Sequence, residues 1–151
     1  MYKAMLQPDL IGLNFHESNH LDLFRSVGKI LQEKRLVTER YCESLMERES
    51  SFPTGLQTKY LNVALPHTDP DVINRPFIFV ARNNQPITML QMGDNAETPC
   101  QHFLFLGIKD PKSQVGLLAK LMDLFAQEDF VSFFRQAHDV SEMYQLLNSH
   151  L

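Results

Sequence analysis

Apolar residues fall into two kinds of run along this chain, and the alternation between them predicts its elements. Over residues 10–15, Ile11, Leu13 and Phe15 recur at every second position, the period of a short half-buried strand. Over 18–34 the spacing changes: Leu21, Phe24, Val27, Ile30 and Leu31 step at helical intervals, with Ser18 or Asn19 available as the N-cap. Gly28 lies inside that helix and weakens it by roughly 1 kcal/mol relative to alanine unless it permits a close packing contact. A second helix starts at Thr38, with inward pairs Tyr41/Leu45 and Cys42/Met46. It should fray near Glu49 or Ser50, because Pro53 disfavours helical geometry in the residue before it.

Strand periodicity returns at Leu61, Val63 and Leu65 and stops at Pro66. Residues 76–81 form an unbroken apolar run, the pattern of a strand covered on both faces. A polar turn is expected over 83–86, a strand over 87–92, a loop over 93–99 and another apolar strand over 102–108. Asp110 and Pro111 give a helix start. Its inward residues are Leu117, Leu118, Leu121, Met122 and Phe125. A short aromatic helix carries Phe130, Val131, Phe133 and Phe134, and a last one Val140, Met143, Tyr144 and Leu147. Strands interleaved with helix pairs imply an α/β sandwich: a mixed central sheet of about five strands with helices on both faces.

The 151 residues suffice for a single domain, 1–151, with one real core. A net charge of -4, with no basic block among aromatics, argues against nucleic acid as a partner. The N-terminus lacks a signal-peptide pattern, and no run approaches the ~20 apolar residues needed to span a bilayer. Cys42 and Cys100 lie far apart and outside any C-x-x-C pattern, so two reduced thiols in a cytoplasmic protein are expected.

Candidate chemistry concentrates over 48–70, RESSFPTGLQTKYLNVALPHTDP. Of the six histidines, His67 alone stands just past a strand end, where α/β sheets place their chemistry. His102 begins an apolar strand and reads as structural, whereas His16, His20, His138 and His150 read as solvent-exposed. His67 and Asp69 have the look of a metal half-site, but no further ligand cluster completes it. Cys42 points inward and reads as packing.

The order R-E, P-T-G and A-L-P-H closely resembles the signature of enzyme IIA components of the bacterial phosphoenolpyruvate-dependent sugar phosphotransferase system. The likeness is to the fructose/mannitol superfamily, in its galactitol-type branch. It extends over nearly the whole chain, including a D-P-x-x-Q-x-x-L-L-x-x-L pattern over 110–121. The resemblance implies that His67 accepts a phosphoryl group from phospho-HPr and passes it to a cysteine on a cognate IIB protein. The IIC permease is then an indirect partner, and no metal or organic cofactor is needed. Gln114 stands where other branches often carry a second histidine, so the resemblance implies that His67 acts alone.

The residues suit that role. Imidazole is neutral near pH 7, hence nucleophilic, and leaves well afterwards. Arg48 can stabilise the phosphoryl oxygens by charge-assisted contacts. Thr54 can offer a hydroxyl, and Gly55 can let backbone N–H groups approach. Glu49 would repel a phosphoryl group, so its expected role is to orient Arg48; the bland alternative for the pair is an ordinary helix-end ion pair. Phe52 and Leu56 are candidates for a docking rim. Two other readings stay open from the sequence: a regulatory phosphoprotein read by a binding partner, and a metal-dependent enzyme using His67 and Asp69.

Overall fold

A computed structural model describes residues 2–151. Five strands form one mixed sheet: β1 (Leu6–Phe15), β2 (Gly55–Gln57), β3 (Asn62–Ala64), β4 (Phe77–Leu90) and β5 (Glu97–Gly107). They lie in the order β1-β4-β5-β3-β2. The β1/β4 and β3/β5 pairs are parallel, and the β2/β3 and β4/β5 pairs antiparallel. Helices α1 (His20–Glu33) and α2 (Tyr41–Ser51) precede β2, and α3 (Pro111–Phe125), α4 (Glu128–Gln136) and α5 (Val140–His150) follow β5.

The alternation along the central strands explains this layering. Phe77, Phe79 and Ala81 of β4 and Phe103 and Phe105 of β5 face α1 and α2, packing on Phe24, Val27, Leu31, Tyr41 and Leu45. The intervening Ile78, Val80, Leu104 and Leu106 join Leu117, Leu121, Phe125, Phe134 and Leu147 of the C-terminal helices. Both faces are therefore dry, which is why these strands read as continuous apolar runs. Full burial of one such side chain stabilises the fold by about 1.5–3 kcal/mol. Gly28 is explained by contact: a Cβ there would collide with Cys42 Sγ, so the glycine lets α1 and α2 approach. Asn19, Asp110 and Asp139 cap α1, α3 and α5, accepting from the backbone N–H of Asp22 (2.9 Å), Lys112 (3.2 Å) and Glu142 (2.8 Å).

Several expected boundaries move. The polar turn expected over 83–86 is part of β4, which runs unbroken to Leu90 with a register irregularity between Arg82 and Ile87. Asn83 is fully buried there. Its side-chain amide donates to the carbonyls of Glu17 and Gln85, both at 2.9 Å, and its oxygen accepts from the Glu17 N–H at 2.8 Å. A side chain thus replaces the missing ladder bonds, and Pro86 is tolerated in the irregularity. Strand β1 begins earlier than expected and accommodates Pro8 because it lies at the sheet edge. It is not half-buried, since Leu10 and Ile11 enter opposite cores. Strand β5 takes in Glu97–Pro99 from the expected loop, and β2 is an element the periodicity did not reveal. Helix α2 continues to Ser51 before Pro53 takes effect. Met122, expected to face inward, is exposed, as are Leu21 and Phe133 of the apolar sets that mark α1 and α4, while Leu23 and Leu124 fill the core.

Candidate functional site

Strand β3 ends at Ala64, and the chain beyond it remains tied to the sheet. The Leu65 N–H donates to the Thr54 carbonyl at 3.1 Å, and the Leu106 N–H to the Pro66 carbonyl at 2.9 Å. His67 itself bridges to Leu106 of β5. The imidazole is thus held at the edge of a rigid sheet and is only 8% exposed. Its Nδ1 lies 2.7 Å from the Leu65 carbonyl oxygen. A carbonyl can only accept, so Nδ1 carries the proton and the free lone pair belongs to Nε2. Among the described residues Nε2 has no partner, and it is not closed off from solvent. Burial lowers the His67 pKa from its ordinary value; the Leu65 bond and Asp69 raise it and Arg48 lowers it, each less strongly than burial acts. A ring with its pKa below 6.5 is neutral at pH 7, as a nucleophile requires.

Arg48 sits in the last turn of α2 and reaches the same place. Its Nη1 forms an ion pair with Asp69 Oδ1, two residues past His67. Its guanidinium carbon lies 4.8 Å from the centre of the Phe52 ring, a cation–π stack on a side chain that is 62% exposed. The Arg48 Nε is buried with no acceptor.

Glu49 does not orient Arg48. Its two carboxylate oxygens accept from Thr54: Oε1 from the hydroxyl at 2.7 Å and Oε2 from the backbone N–H at 2.9 Å. On a helix, adjacent residues diverge by about 100°, so Arg48 and Glu49 point to different surroundings. Burial raises the Glu49 pKa, and the two Thr54 bonds oppose that rise. The Thr54 hydroxyl, expected to face a phosphoryl group, donates instead to Glu49 and is buried. The bare Cα of Gly55 is likewise accounted for by packing, because a Cβ would lie 2.5 Å from the Leu90 carbonyl oxygen. Glu49, Thr54 and Gly55 therefore fix the turn that leads into β2, and through the Leu65 N–H they fix the histidine loop.

Two participants were not assigned from the sequence. The Leu65 carbonyl is backbone, which no residue pattern encodes. From the sequence Asp69 reads as half of a metal site, because the expected partner of Arg48 is the adjacent Glu49. No cluster of three or more His, Cys, Asp or Glu side chains arranged to hold a metal occurs among the described residues. None of the described helices is long and apolar enough to cross a membrane.

A family model for the phosphoenolpyruvate-dependent sugar phosphotransferase system, EIIA 2, matches residues 4–150. The galactitol-specific EIIA component of Escherichia coli strain K12 is 23% identical over 120 residues, covering 80% of this chain and 79% of that relative. The fructose-like EIIA component of the same strain is 23% identical over 150 residues, covering 98% of each. Among solved structures, the Escherichia coli complex of enzyme IIA and phosphorylated enzyme IIB for mannitol aligns with a TM-score of 0.76. That match has 16% identity and covers 95% of this chain and 99% of the other.

Proposed function

The chain belongs to the EIIA 2 family of the phosphoenolpyruvate-dependent sugar phosphotransferase system, and from that premise we propose that Nε2 of His67 is its phosphoryl-carrying atom. As a member of that family it is a phosphotransferase, a phosphoryl carrier of sugar uptake. In the proposed cycle the Nε2 lone pair attacks the phosphorus of phospho-HPr. The donor P–N bond breaks, and its electron pair stays on the donor imidazole. A cysteine thiolate of a cognate IIB protein then attacks the same phosphorus, and the His67 ring leaves with its lone pair restored. Nδ1 keeps its proton and donates it in a hydrogen bond to the Leu65 carbonyl throughout, so the ring carries positive charge only while the N–P bond exists.

The observation that carries this reading is the hydrogen bond from His67 Nδ1 to Leu65, which leaves Nε2 as the one nitrogen with a free lone pair. Arg48 supplies charge stabilisation to the phosphoryl oxygens. Glu49, Thr54 and Gly55 serve by holding the loop. Residues 1–151 act as one EIIA unit in the cytoplasm, serving a IIC permease through IIB, with Phe52 and Leu56 at the docking rim. Galactitol or a related polyol or sugar is the proposed cargo, supported by the galactitol-specific relative, while the fructose-like relative at equal identity keeps the sugar class broad.

The test is phosphorylation by phosphoenolpyruvate, enzyme I and HPr, then transfer to candidate IIB proteins. The expected result is label on His67 that passes to a IIB cysteine. Undiminished labelling of a His67→Ala variant would overturn the assignment, and unchanged transfer rates in Phe52→Ala and Leu56→Ala would remove those residues from the docking rim.

A further inference from the structure

The guanidinium of Arg48 is incompletely satisfied. It is paired through Nη1 to Asp69 and stacked on Phe52, while its Nε is buried with no acceptor. Asp69, by contrast, is 67% exposed at its side chain, and the described structure gives its carboxylate no partner besides Arg48. A buried donor without an acceptor is costly and favours any anion able to reach it. The imidazole is close enough to feel both charges.

We infer that Asp69 is a positioning residue that parks the Arg48 guanidinium beside unphosphorylated His67 and competes with the phosphoryl group for it. This rests on the assignment of His67 as carrier. A phosphoryl group brings a charge of about −1.5 to −2 and three acceptor oxygens. When the N–P bond forms at Nε2, the guanidinium turns to those oxygens and can satisfy its Nε. The Asp69 carboxylate then loses its partner and stands as a like charge near the phosphoryl group. When the phosphorus departs, Asp69 recaptures the arginine. The carboxylate thereby holds the phosphorylated state close in free energy to the empty one, which keeps transfer reversible. A relay needs that property, since a carrier that binds its cargo too firmly passes it on poorly.

The experiment uses the full chain with Asp69→Asn, an exposed change that leaves the cores intact. Two quantities are read: the equilibrium constant for phosphoryl exchange with phospho-HPr, and the pH titration of the phosphohistidine phosphorus by 31P NMR. Loss of the competing carboxylate should shift the exchange toward phosphorylated His67 by about threefold to fivefold, the size of an exposed ion pair. The phosphorus titration should move to lower pH, because the dianion no longer faces a like charge. Most of the exchange shift should vanish when Asp69→Asn is made in an Arg48→Gln background, because no guanidinium is left to compete for, whereas the titration shift, a like-charge effect, should persist. A merely structural Asp69 would change unfolding but move neither readout. Unchanged exchange and titration, with His67 still phosphorylated, would overturn the inference alone. Absence of phosphohistidine at His67 in the unaltered protein would sink the carrier assignment and this inference together.

Discussion

His67 and His102 make a natural pair for comparison. One follows β3 and the other lies within β5, and Val63 of β3 is the register partner of His102. Their exposures are nearly the same, 8% and 7%, and burial is the leading cause of a lowered pKa in both. What separates them is which nitrogen is left free. His67 gives Nδ1 to a carbonyl and keeps Nε2 open. His102 accepts from Arg82 Nε at its own Nε2, at 3.0 Å, and its Nδ1 is buried with no partner. Its ring packs on Phe134 with centroids 5.0 Å apart, and its pKa is pushed down to about 3. The arginines differ in the same way. Arg82 donates to the carbonyls of Ala137 (2.6 Å) and Phe134 (2.9 Å), closing the C-terminal end of α4, whereas Arg48 retains an unmet donor. The Arg82–His102 pair closes a helix end and braces the fold, whereas Arg48 keeps an unmet donor and His67 an open nitrogen.

Removing each ring should have the largest and most divergent effects. His67→Ala should abolish phosphoryl acceptance, whereas His102→Gln should be labelled to the normal extent; autoradiography after incubation with phosphoenolpyruvate, enzyme I and HPr reads both. Next in size is Arg48→Ala, which should slow transfer by about 10²-fold, the usual consequence of losing one group that stabilises developing charge. Its urea midpoint should stay near that of the unaltered protein. Arg82→Ala should behave in the opposite sense, keeping the transfer rate per folded molecule while losing about 2–4 kcal/mol of stability. That loss comes from leaving two helix-end carbonyls and the His102 acceptor unpaired.

The smallest effect is a pH dependence. A histidine whose folded pKa is depressed is neutral in the native state and charges more readily when unfolded. Its stabilising contribution is full above the unfolded value near 6.5 and is lost as pH falls toward the folded value, about 3 for His102. Between pH 6.5 and 5.5 the cost should be about 1 kcal/mol from this ring. Chemical denaturation of the protein and of His102→Gln at both pH values checks this: the variant should show the shallower loss, and equal slopes would remove His102 as the cause.

Much of this fold was legible because the strands are coated on both faces. The unbroken apolar runs in β4 and β5 have the pattern of strands covered on both faces, and capping residues such as Asp110 mark helix starts locally. The errors came where a distant partner decides. Asn83 reads as a turn residue until Glu17, remote in sequence, is found satisfying its amide. The exposure of Phe133 depends on how α4 is rotated against its neighbours, which spacing alone leaves open among adjacent aromatics. At the site, His67, Arg48 and Glu49 were visible as types in order. Their partners were not: Glu49 turned to Thr54 and Arg48 to Asp69, because helix geometry sends neighbouring side chains in different directions.

In the proposed cycle a backbone carbonyl selects the reactive nitrogen of His67. The most direct measurement is NMR of the ring nitrogens after enzymatic phosphorylation of 15N-histidine-labelled protein, resolving which nitrogen bears phosphorus. A single phosphohistidine is expected, at Nε2 of His67, with a proton retained on Nδ1. Phosphorus on Nδ1, or on any residue other than His67, would contradict it.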